Sequence, residues 1–148
     1  MNYSRVVKIV KNELREYPLF SKQIEELELS KLQGMESDIN SSIKSKNSIS
    51  SVTENEAIKN IAIDTKIESI LKWKLIIDYV FKAIKSKDKI KYDVLAYKYI
   101  AHLTEYDIEN KLHIARNSIR KYIDEFIIEI SYLAIDEGLI KIENLSKI

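Results

Sequence analysis

Cysteine is missing from the 148-residue chain, which excludes disulfides and thiolate metal centres and leads us to expect a reducing, cytoplasmic setting. Proline occurs once and glycine twice, too few for the many turns of a sheet protein. Apolar residues make up 45% of the chain, yet no run reaches the roughly 20 consecutive residues that span a bilayer, so no membrane partner is expected. The start MNYSRVVKIV has neither a long apolar core nor a cleavage site, and no signal peptide is expected. There is no excess of either charge: the formal net charge is +1, so the chain as a whole is no electrostatic magnet for nucleic acid. Histidine occurs only as His102 and His113, without HExxH spacing, and no P-loop, GxSxG or glycine-rich cradle is present. The many carboxylates are scattered along helix faces, where solvated ion pairs are the ordinary explanation. We therefore expect no enzyme, no metal and no cofactor.

What is present is helical periodicity, and the expectation is an all-α fold. Tyr3, Val6, Val7, Val10, Leu14 and Tyr17 form one stripe, ended at Tyr17 because Pro18 restricts the residue before it. Phe20, Ile24, Leu27 and Leu32 form a second stripe that Gly34 is expected to stop, giving an N-terminal helical pair over residues 1–33. Residues 34–53, GMESDINSSIKSKNSISSVT, hold seven serines and two asparagines and read as a linker. Thr53 with Glu54 and Glu56 then reads as the capped start of a long helix running to about Lys85. Its stripe is Ile63, Ile67, Ile70, Ile77, Phe81 and Ile84, broken only by Lys74. Trp73 sits inside this apolar helix and reads as a core or interface anchor, in preference to a base-stacking residue. A short polar connection leads to a face of Tyr92, Leu95, Ala96, Tyr99, Ile100 and Leu103. Residues 54–148 are thus one expected domain, whose closing segment LIKIENLSKI is apolar enough to pack or to pair with another subunit.

Within that domain the stretch EYDIENKLHIARNSIRKYI, residues 105–123, changes period in a specific way. Ile108 and Leu112 share a helical face, the step of two to Ile114 breaks the period, and Ile119 and Tyr122 restore it. Two short helices joined by a tight turn, with an inward residue in the turn, make a helix-turn-helix. The competing plain reading is a helical hairpin with solvated charges. The motif departs from custom at three places. Glu109 stands where a small residue is usual, His113 where glycine is usual, and Ala115 where a capping Ser or Thr is usual.

The second helix opens with three cations, Arg116, Arg120 and Lys121, and no acid between 115 and 123. Residues 124–148 hold two lysines against six carboxylates, so a basic start gives way to an acidic tail. In a major groove Arg grips guanine and Asn adenine. The expected roles are base contact for Arg116, Asn117 and Arg120, and phosphate contact for Lys121, Ser118 and Thr104. A single such module seldom binds tightly alone, so a homodimer or higher homo-oligomer is expected, formed through the long helix or the N-terminal pair.

Residues from about Trp73 to Leu133 resemble region 4 of the bacterial sigma factors: a helix, a tyrosine-rich helix, then the helix-turn-helix. The larger plan is an N-terminal pair with YPLFSKQIEELE, then Gly34-Met35, then NSISSVTENEAI leading into a long helix. It resembles the phage late-gene transcriptional regulators of the RinA and ArpU type. That resemblance implies double-stranded DNA as partner, activation of phage late genes in a bacterial cytoplasm, and Ala115 to Asp124 as the reading helix. A small terminase subunit binding packaging-site DNA as a ring is the first alternative. A helix-turn-helix that contacts proteins such as RNA polymerase is the second.

Overall fold

A computed structural model describes residues 3–42 and 49–141, the side chains of 34–42 and 49–53 excepted. Among the described residues the protein is all-α, with no strand. The helices are α1 (Tyr3–Glu16), α2 (Phe20–Ser42), α3 (Ile49–Lys87), α4 (Lys89–Tyr99), α5 (Glu105–Leu112) and α6 (Arg116–Asp136), with one 3-10 turn at Tyr17–Leu19. None of the described helices is long and apolar enough to cross a membrane.

Two expected helix boundaries are corrected. α2 runs through Gly34 to Ser42, and α3 begins at Ile49, four residues before Thr53. An interior glycine costs a helix about 1 kcal/mol, and MESDIN beyond it contains no proline, so nothing local enforces a stop. Both ends of the expected 34–53 linker are therefore helical, while 43–48 lie outside the described residues. Likewise α4 ends at Tyr99, and Ile100 leaves the expected face to stand exposed.

The chain forms two compact units, Met1–Pro18 with Lys72–Ile148, and Leu19–Leu71. Compactness thus groups α1 with the C-terminal helices. In the Leu19–Leu71 unit, Lys31 Nζ lies 2.9 Å from the Asp64 carboxylate, tying α2 to α3. Leu29, Leu32, Ile58 and Ile61 of that unit are exposed.

The other unit holds the core. α1 buries Val6, Val10 and Leu14, the heart of its expected stripe, and lies along α6. α6 in turn meets α4 and α5. At the centre Phe126 sits 4.9 Å from Phe81 and 5.6 Å from Tyr99, ring centre to ring centre. Tyr17 stacks on Phe81 and its hydroxyl donates to Asp78 on α3, which also accepts from Lys74 at 2.8 Å. Burial raises the Tyr17 phenol, and the Asp78 hydrogen bond adds to it. Trp73 is buried, as its place in an apolar helix suggests. α4 starts at a cap, the Asp88 carboxylate accepting from Lys91 N at 3.1 Å. Lys91 then reaches across to Glu125 at 2.7 Å and fixes α4 against α6. At the far end Gly138 takes φ 73°, which glycine adopts without a Cβ penalty. The chain turns back there and buries Ile140, while 142–148 lie outside the described residues.

Candidate nucleic-acid interface

α5, of 8 residues, meets α6, of 21, at a single bend, so only the first of the two helices is short. Of the five apolar positions singled out by their spacing, Ile108 of α5 and Ile119 of α6 are wholly buried, while Leu112, Ile114 and Tyr122 are half-buried. Thr104 opens α5 as a capping box: its hydroxyl accepts from Asp107 N at 3.2 Å and donates to Asp107 Oδ2 at 2.9 Å. The Thr104 hydroxyl, expected at phosphate, is thus engaged in holding the start of α5.

The bend rests on His113, which takes the left-handed conformation at φ 54° and ψ 45°. This is the backbone state for which glycine is customary, and a side chain there costs about 1–2 kcal/mol. Ala115 then stands as N-cap of α6 in extended backbone, with no side-chain cap; neither Asn117 nor Ser118 substitutes for one. Two of the three departures, His113 and Ala115, therefore have a physical cost at the place they occupy.

Beyond the bend, Arg116, Asn117, Arg120 and Lys121 are exposed and Ser118 is half-buried. The structure brings all five to the first turns of one helix. It also corrects the expectation that their charge is uncompensated. Arg116 Nη2 donates to Glu109 Oε2 at 3.1 Å, and Arg120 Nε donates to Glu105 Oε2 at 3.2 Å. Both acids come from α5, laid beside α6 by the turn. Glu109 stands where a small residue was expected, and its carboxylate is long enough to reach α6. Lys121 has no carboxylate within ion-pairing distance among the described residues. The face is therefore polar and close to charge-balanced, with one free cation.

No family model matches the chain, and no curated protein or solved structure does either.

Sequence reasoning missed Glu105 and Glu109 as parts of the site. The signal was present only as two acids on the face of α5 that a tight turn would fold toward α6. It also passed over the cations of α1, whose spacing at 8, 11 and 15 places them on one side of that helix. Among the described residues no cluster of His, Asp and Glu is arranged to hold a metal.

Proposed function

We propose that the chain is a sequence-specific duplex-DNA-binding regulator of the phage late-gene type, working through α5 and α6. The observation that carries this reading is the bend at His113, after which Arg116, Asn117, Arg120 and Lys121 stand exposed on the first turns of a helix. A helix start of this composition fits the major groove: guanidinium groups reach guanine O6 and N7, the Asn amide reaches adenine, and Lys121 neutralises a phosphate. Two copies reading two half-sites would supply the affinity one module lacks, and the exposed Leu29, Leu32, Ile58 and Ile61 support pairing through the Leu19–Leu71 unit.

The test is selection of a preferred site from a randomised duplex pool, followed by substitution. Arg116→Ala should cost about 1–3 kcal/mol and relax preference at one position. Lys121→Ala should weaken all sequences alike and lower the salt slope by about one contact. If neither change alters binding to the selected site, the reading is wrong.

A second reading is favoured by the pairs Arg116–Glu109 and Arg120–Glu105. A charge-balanced helical face suits a protein surface, such as that of RNA polymerase, better than it suits a polyanion. Retention of a polymerase complex with loss of all duplex binding would select that reading. A ring of many subunits in solution, measured by mass, would instead select packaging-site binding.

A further inference from the structure

α1 carries a line of cations that the reading above does not use. Lys8, Lys11 and Arg15 are exposed and fall three and four residues apart, so they share one side of the helix over about 10 Å. They border two adjoining grooves. The larger, about 980 Å³, runs between α1 and α6, past Asp124, Ile127 and Ile128. The smaller, about 430 Å³, brings Lys11 and Arg15 together with Lys98, His102 and Thr104. Among the described residues none of Lys8, Lys11, Arg15 and Lys98 has a carboxylate within ion-pairing distance. The acids bordering the grooves are Asp124 and Glu105, and Glu105 already accepts from Arg120. His102, at φ 55°, is the second non-glycine residue in left-handed backbone, and this strained turn joins α4 to the start of α5 beside the smaller groove.

We propose that the smaller groove seats the DNA backbone beside the helix that reads it, with Lys11, Arg15 and Lys98 neutralising phosphates and Lys8 extending the track. The proposal rests on α6 being a DNA-reading helix. Continuity favours a duplex over an acidic protein. Glu105 borders the groove and holds Arg120, so the cationic track begins one side chain away from α6. On this account the reading helix is charge-balanced because it selects sequence, whereas the sequence-independent attraction comes from α1 and the end of α4. The division explains how a chain of net charge +1 approaches a polyanion.

The test uses the full chain and four probes: a mixed-sequence duplex, the site enriched from a randomised pool, phosphatidylglycerol vesicles and polyglutamate. Binding is followed by fluorescence anisotropy across a salt series. The variant Lys11→Gln/Arg15→Gln/Lys98→Gln should lower the slope of log K against log salt by about 2.7, near 0.9 for each lost phosphate contact. It should keep its ranking of the selected site over mixed sequence. The charge-preserving variant Lys11→Arg/Arg15→Lys/Lys98→Arg should keep the wild-type slope, which separates lost charge from lost fold. An unchanged slope in the glutamine variant overturns the groove assignment. If Arg116→Ala/Arg120→Ala still abolishes site preference in that case, the reading helix stands without it. Failure of the wild type to bind either duplex overturns both. Loss of binding to phosphatidylglycerol vesicles or to polyglutamate, with the duplex slope intact, assigns the surface to another polyanion and also overturns the proposal.

Discussion

Replacing Glu105 and Glu109 by glutamine should make the protein bind DNA more tightly. In the free protein each acid holds one arginine of α6, at 3.2 Å for Glu105–Arg120 and 3.1 Å for Glu109–Arg116. To grip a guanine edge, each guanidinium has to leave that carboxylate. The pairs are solvated, with the arginine side chains 58% and 43% exposed, so each contributes about 0.2–1 kcal/mol. Releasing both therefore costs about 0.4–2 kcal/mol, which the wild type loses on binding and the double variant does not. That difference corresponds to roughly 2-fold to 30-fold tighter binding. Removing two negative charges from beside the phosphates acts in the same direction, most strongly at low salt.

The assay is an anisotropy titration of Glu105→Gln/Glu109→Gln against the selected duplex at two ionic strengths, alongside a thermal melt. The melt should show a loss of stability of about the same 0.4–2 kcal/mol, because the free protein loses both pairs. Equal or weaker duplex binding by the double variant would refute the reasoning. It would mean that Arg116 and Arg120 do not leave their acids for DNA, and would favour a protein as the partner of this face.

Three further outcomes are expected. His113→Gly should stabilise by up to about 1.5 kcal/mol, since it removes a left-handed penalty of about 1–2 kcal/mol against about 0.5–1 kcal/mol for the extra freedom of unfolded glycine; a lower Tm would contradict the strain argument. Ala115→Ser should add about 1 kcal/mol by capping α6, because the backbone there is already extended; an unchanged denaturation midpoint counts against it. Glu13 is held above its ordinary value of 4.5, first by burial and then by neighbouring Glu16. A carboxyl whose folded pKa is raised favours the folded state most when protonated, so stability from this group is lost as pH rises from 4.5 through the folded value. Glu13→Gln should therefore stabilise at pH 7 and lose that advantage below pH 4.5, as read from melts across pH; a constant difference would exclude burial as the cause.

The local code of this chain settled a good deal unaided. Scarce glycine and proline with 3.6-residue periodicity made it all-α, because such a chain has few turns and many faces to bury. Tyr17-Pro18 ended α1, and the broken period at Ile114 placed the bend between α5 and α6, because both are effects of adjacent residues on backbone angles. Gly34 misled, because one glycine costs less than the surrounding helix gains by continuing. Tertiary structure alone decided which faces meet. Periodicity says that a stripe is buried but never against what, so α1 lying along α6 was not legible, nor were its cations beside the start of α5. The charge of α6 was likewise decided in space. Within 115–123 it looks wholly basic, and only the fold brings up Glu105 and Glu109 to neutralise two of its three cations.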